Sequence, residues 1–159
     1  MTRAELLREK YHMVAHVEGG MFSLAYIAPF EADGRPLAGS IYFLLDKGER
    51  SCLHVLDCDE IWYFQEGCGL KITTLAADGR KEILLGSDIQ NGEQHMAIIP
   101  KGTVFGAENI NKDGHTFVSC VTVPRYADAG FKILGRKELE ESFPNELGGI
   151  EHLVAEWAE

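Results

Sequence analysis

The residues best suited by type and spacing to move a proton are His54 and Glu60, set in the pattern G-x5-H-x5-E-x6-G between Gly48 and Gly67. His16 and Glu18 form a second pair, just ahead of Gly19-Gly20. An imidazole beside a carboxylate serves as general acid or base, and the same two groups are reasonable ligands for Zn²⁺, Fe²⁺, Ni²⁺ or Mn²⁺. Side chains alternate along a strand, so His54 and Leu56 share a face, as do Glu60, Trp62 and Phe64 on the next segment. Two successive glycines permit backbone conformations closed to other residues and a close approach to a ligand or strand. Further along, Pro100, Gly102 and Asn109 form the set P-x-G-x6-N.

These groups need strands to hold them, and the chain reads as all-β. Runs rich in Ile, Val, Phe, Tyr and Thr, each ended by Gly, Asp or Asn, cover Met21 to Phe30, Ser40 to Leu45, Cys52 to Leu56, Ile61 to Gln65 and Leu70 to Ala76. They continue at Lys81 to Leu85, Met96 to Pro100, Val104 to Ala107 and Thr116 to Pro124. Such regular spacing predicts a sandwich or barrel. Ala32-Asp-Gly-Arg, Ala77-Asp-Gly-Arg and Lys112-Asp-Gly-His place Asp-Gly between runs and predict hairpins. Thr2 to Lys10 predicts a helix, with Thr2 as N-cap, Glu5 completing a capping box, and Leu6 and Leu7 facing inward. Gly135 to Glu141 and Gly149 to Glu159 predict terminal helices, the second with Ile150, Leu153, Val154 and Trp157 on one apolar face. No linker divides the chain, so one domain is expected over 1–159: helix and lead-in at 1–15, barrel at 16–134 and helical tail at 135–159.

Apolar content of 45% and charged content of 25% suit a globular soluble protein. No apolar run approaches the roughly 20 residues of a membrane span. The first ten residues lack the apolar core of a secretory signal, and a cytoplasmic location is expected. A net charge of −10 and a pI near 5.0 argue against nucleic acid, whose phosphates are bound through Lys and Arg. Cys52, Cys58, Cys68 and Cys120 form no C-x2-C pair, and free thiols are expected.

The two spaced sets resemble the paired motifs of the cupin superfamily, G-x5-H-x-H-x3-E-x6-G and P-x-G-x2-H-x3-N. Leu56 stands at the second histidine position and Phe105 at the third. The run His16-x-Glu18-Gly19-Gly20-x-Phe22 narrows the resemblance, together with Ser40-Ile-Tyr-Phe-Leu-Leu, Asp59-Glu60-Ile-Trp, Pro100-Lys-Gly-Thr and Cys120-Val-Thr-Val-Pro. They are similar to a small single-domain cupin family of largely unassigned function that opens on H-x-E-G-G-x-F. The likeness runs from Leu6 to Pro144. It implies a double-stranded β-helix, the cupin jelly-roll barrel, with short N- and C-terminal helices. It also implies a homodimer and structural kinship with nucleotide-sugar epimerases. Relatives carry an Arg after G-G-x-F, where this chain has Ser23-Leu24-Ala25, and another directly after the first-motif His, where it has Val55. Both departures remove planar donors suited to carboxylate or phosphate.

The function expected from this reading is binding of a small organic molecule in the barrel, as an isomerase or epimerase. His54 would be general acid or base, and Glu60 its orienting or charge-balancing partner. The expected substrate-facing residues are His16, Glu18, Phe22, Tyr42, Leu56, Trp62, Tyr63 and Phe105. No cofactor is expected, because Leu56 and Phe105 leave the motif short of the three or four ligands a transition metal usually takes. A bound metal would fall to His54, Glu60 and His95. Two alternatives are a metal-dependent dioxygenase or isomerase with that reduced set, and a non-catalytic ligand-binding or sensor module. A homodimer is expected because jelly-roll edges need covering, with Met21 to Phe30 as the strand to be exchanged.

Overall fold

Alternation of apolar and polar side chains along the strands folds the chain into two facing antiparallel sheets. The computed structural model describes residues 1–158. In chain order its elements are α1 (Arg3–Lys10), β1 (Val14–Ala15), β2 (Met21–Ile27), β3 (Glu31–Ala32), β4 (Arg35–Pro36), β5 (Gly39–Leu45), β6 (Arg50–Leu56) and β7 (Asp59–Gly67). There follow β8 (Leu70–Ala76), β9 (Gly79–Leu85), β10 (Met96–Ile99), β11 (Val104–Asn109), β12 (Thr116–Val123), β13 (Phe131–Ile133) and α2 (Arg136–Ser142). One sheet has the order β1-β2-β5-β12-β7-β10 and the other β13-β6-β11-β8-β9, with β3 and β4 as a separate hairpin.

From β5 onward the chain changes sheet at every connection except the β8–β9 hairpin. This is the jelly roll expected from the sequence. Each of the nine expected runs holds a strand, while the short β1, β3, β4 and β13 carry too few residues to show a period. In the β3–β4 turn, Asp33 and Gly34 both have positive φ, 52° and 75°, as a two-residue type I′ turn requires. The Lys112-Asp-Gly-His turn, by contrast, makes no hairpin. It joins β11 to β12, which lie in opposite sheets.

The main core fills the space between the sheets, with Phe43, Trp62, Phe105, Ile72 and Val118 among its buried members. Helix α1 covers part of the outer face of the six-stranded sheet. Thr2 caps it with the full capping box, and Ala4 and Leu7 pack on Leu44 and Phe117. Leu6 turns outward, 44% exposed, because only one helical stripe faces the sheet. On the other side α2 and the following segment cover the five-stranded sheet, where Leu139, Ile150, Leu153 and Val154 pack on Leu53, Leu75 and Val104.

No helix spans the described part of the expected Gly149 to Glu159 segment, and Glu159 lies outside the described residues. A single 3-10 turn, Glu151–Leu153, seats the apolar side chains on the sheet and leaves Trp157 exposed. A helix that short has little stability of its own, so the contact with the sheet decides its conformation. All four cysteines are free. No described helix is long and apolar enough to cross a membrane.

Asn109, the last residue of the second spaced set, is 4% exposed. Its side-chain amide is shared among the carbonyls of Leu45, Asp46 and Gly114 at 3.2, 3.1 and 3.2 Å. It clasps the end of β11 to the turns after β5 and before β12. Asn109→Ala leaves those carbonyls short of a donor and is expected to cost roughly 2 kcal/mol, read as a lower urea midpoint at unchanged m. An unmoved midpoint would show that the clasp is dispensable.

Candidate functional site

The His16-to-Gly20 loop is bound to β6 by its backbone. The Glu18 carbonyl accepts from Cys52 N–H at 2.8 Å, and His16 N–H donates to the Gly20 carbonyl at 2.9 Å. A Cβ on Gly19, at φ 111°, would lie 1.9 Å from the Arg50 carbonyl oxygen, so only glycine lets the loop approach β6 this closely. That approach carries the Glu18 side chain inward to His54. Glu18 Oε2 lies 2.9 Å from His54 Nε2, with both side chains buried. His54 Nδ1 is 2.6 Å from the Cys52 carbonyl oxygen.

A carbonyl oxygen only accepts, so Nδ1 carries a proton, and Nε2 donates to the Glu18 carboxylate when that carboxylate is ionised. Burial by itself disfavours the imidazolium. The Glu18 charge and hydrogen bond, the Cys52 carbonyl and the Glu60 charge together outweigh burial, and the His54 pKa is raised. Burial likewise works against the Glu18 carboxylate, but the charge and hydrogen bond of His54 leave its pKa lowered. The two form a buried ion pair.

Glu60 enters from the opposite sheet, on β7, and shares the interior with this pair. Burial, then the Glu18 charge, raise its pKa to about 7 against the opposing pull of His54, Trp62 and Cys120. The partner of His54 is therefore Glu18, and the expected His54–Glu60 pairing gives way to a third group that is divided between acid and carboxylate at neutral pH. The Trp62 indole N–H and Ser51 hydroxyl are buried near Glu60 and Glu18 without an aligned partner. His16 Nδ1 accepts from the Glu18 N–H at 3.2 Å. Its 4.0 Å approach to Glu18 Oε1 is therefore no ion pair, and burial lowers the His16 pKa in keeping with a neutral ring protonated on Nε2.

These groups line a cavity of about 650 Å³ that opens to the surface beside the β3–β4 hairpin. Of the residues expected there, His16, Glu18, Phe22, His54, Leu56 and Glu60 are in its wall. Tyr42, Trp62, Tyr63, Phe105 and His95 are not. Tyr42 points out of the sandwich and packs under α1, its ring 4.3 Å from Tyr11 and 5.4 Å from Phe117. Trp62 fills the core against Phe43, and alternation then turns Tyr63 to the outer face, 39% exposed. Phe105 lies behind His54, 4.2 Å between ring centres, and backs the imidazole. Sequence reasoning missed Arg35, Thr122, Arg125, Tyr126, Asp128 and Phe131. Arg35 stands in a run read only as turn chemistry, and the rest lie on or beyond the end of the last expected strand. Burial, then Asp128, push the Tyr126 phenol up, so it stays protonated.

Residues 5–134 match the family described as Cupin superfamily (DUF985). The chain belongs to the cupin superfamily. This cupin is similar over its whole length to a structural-genomics target from Shewanella oneidensis, at 31% identity, full coverage of both chains and a TM-score of 0.92. A hypothetical protein from Leishmania major matches at 25% identity, covering 98% of this chain and 100% of that one, with a TM-score of 0.90. Oxalate decarboxylase from Bacillus subtilis shares the fold at 15% identity, over 78% of this chain and 30% of that one, with a TM-score of 0.56. No curated protein matches the sequence.

The metal positions of the cupin motifs do not suit a metal here. Leu56 and Phe105 have no lone pairs to give, and both nitrogens of His54 face protein acceptors. His95 lies exposed ahead of β10, outside the cavity wall. Among the described residues no three metal-ligating side chains converge.

Glu60 makes the stability of this cupin depend on pH in a defined direction. A carboxyl whose pKa is higher folded than unfolded stabilises the native state fully below its unfolded value, 4.5, and loses that contribution as pH rises through about 7. Glu60→Gln, neutral at every pH, is expected to match wild type at about pH 4.5 and to exceed it by roughly 1–3 kcal/mol at about pH 8. Chemical denaturation at both pH values measures this, and an equal difference at the two would contradict it.

Proposed function

We propose that this cupin binds a small organic molecule in the cavity and moves a proton on it, as an isomerase or epimerase does. The observation that carries the reading is that both ring nitrogens of His54 are engaged within the protein, which leaves Glu60 as the proton carrier in the cavity wall. An acid–base group works best with a pKa near the operating pH, and Glu60 sits at about 7. In its ionised form Glu60 would remove a proton next to a carbonyl and later return it to either face or to the neighbouring carbon. The negative charge that develops on the carbonyl oxygen needs a donor, and the His16 Nε2–H in the same wall is of the right kind. The His54–Glu18 pair would set the charge around Glu60 and take no proton from the substrate.

A binding module without turnover is a second reading, supported by the apolar side chains of Phe22, Leu56 and Phe131 in the wall. A homodimer belongs to the same proposal. Ile98, Ile61 and Val121, adjacent across three strands, leave an apolar band on the outer face of the six-stranded sheet, while β2 pairs within its own chain with β1 and β5. Light scattering of the protein in solution decides between one copy and two. One domain and a cytoplasmic setting complete the proposal, supported by the shared core and the four free thiols.

Proton exchange reports the chemistry without knowledge of the substrate. Keto sugars, 2-oxo acids and related carbonyl compounds incubated with the protein in D₂O are expected to gain deuterium next to the carbonyl. Glu60→Gln should slow that exchange by about a hundredfold or more. Exchange that survives the substitution would remove Glu60 from the role, and exchange absent from every compound would favour the binding module.

A further inference from the structure

We infer that the molecule held in this cavity is an anion, and that the Arg125 guanidinium at the mouth anchors its carboxylate or phosphate. The inference rests on the reading of the cavity as a small-molecule site and adds the class of the molecule. The chain has seven arginines. Five stand in ion pairs: Arg3, Arg8, Arg35, Arg80 and Arg136. Arg125 and Arg50 have no carboxylate partner among the described residues. With 25 acidic side chains against 15 Lys and Arg, a shortage of carboxylates does not explain this. Arg50 is in a smaller hollow behind the Glu18 loop, whereas Arg125 lines the main cavity.

The position of Arg125 is built by its surroundings. Its N–H donates to the Pro36 carbonyl at 3.0 Å, and its carbonyl accepts from Arg35 Nε at 2.7 Å. Both contacts tie it to the β3–β4 hairpin. Its aliphatic stem lies across Gly39, where a Cβ would come within 2.7 Å of Arg125 Cγ, so any larger residue at 39 would push it aside. The neighbouring Arg35 also lines the cavity, but its guanidinium is taken up by Asp57 through bonds of 3.0 and 2.8 Å. The donors at the mouth without a protein acceptor therefore belong to Arg125.

The inner end of the cavity tolerates an anion. Glu18 and His54 neutralise one another at 2.9 Å, leaving Glu60 as the other acid of the inner wall. Asp128 is at the mouth too, exposed to solvent and next to the Tyr126 hydroxyl. Between the ends, Phe22, Ile41, Leu56 and Phe131 form an apolar waist. The fitting molecule carries an oxyanion at one end, an apolar or weakly polar middle, and a group reached by Glu60 at the other. The planar donor at this cavity comes instead from the segment after β12, as Arg125.

Matched probes of one skeleton test this: phenylacetate against phenylacetamide, and phenyl phosphate against phenol. Binding is followed by calorimetry and by NMR shifts of the cavity-lining residues. The anionic member of at least one pair is expected to bind wild type more tightly, and the arm that responds identifies carboxylate or phosphate. Arg125→Gln should weaken that member by about ten- to a hundredfold while sparing its neutral counterpart. Arg125→Lys, which keeps the charge without the planar fork, should lose less, and it serves as the comparison should the Gln variant melt early. Equal binding of charged and neutral members, or an anion preference unchanged in both variants, overturns the anchor while the small-molecule reading stands. Failure of every probe to shift the cavity residues overturns both.

Discussion

A charge pair held out of water, Glu18 against His54, is the constraint around which the site is arranged. Taking either charge alone into the interior is costly, and removing one partner from such a pair typically costs about 3–5 kcal/mol because the other is left uncompensated. The pair therefore requires its supports. Gly19 lets the loop lie against β6, the Cys52 backbone binds the loop with its N–H and the imidazole with its carbonyl, and Phe105 and Phe131 pack around the ring. A shift of the loop would separate the charges and expose the cavity floor.

Once those two charges are fixed, the state of Glu60 follows. A third buried charge beside an anion is disfavoured, and Glu60 is held between acid and carboxylate near neutrality. The jelly-roll path delivers it there. Successive strands β6 and β7 lie in opposite sheets, so residues six apart in sequence face one another across the interior. The outcome is a cavity with a self-neutralised floor, Glu60 in the inner wall, an apolar waist and Arg125 at the mouth.

Much of this was legible in the sequence, where the information is local. Alternation and turn residues outline the strands, and the spacing around His54 and Glu60 puts both inside. The same parity rule also shows that Trp62 and Tyr63 cannot both face inward, and that Tyr42 opposes Phe43. What was not legible depends on depth along the sandwich and on loops. Trp62 and Phe105 are interior residues, yet the cavity stops short of them because the core closes around their rings. Glu18 reads as one substrate-facing residue among several until the loop is seen bound to β6, and Arg125 carries no signal at all until the β3–β4 hairpin is found beside it.

The protonation of the His54 ring tests the central claim most directly. In protein labelled with ¹⁵N at histidine, with His54 assigned by its substitution, both ring nitrogens are predicted to keep their protons to a higher pH than an ordinary histidine, whose pKa is 6.5. That state should disappear in Glu18→Gln. A His54 ring that loses its second proton at or below that ordinary value in the wild type would contradict the account, since the floor of the cavity would then hold no stabilised ion pair.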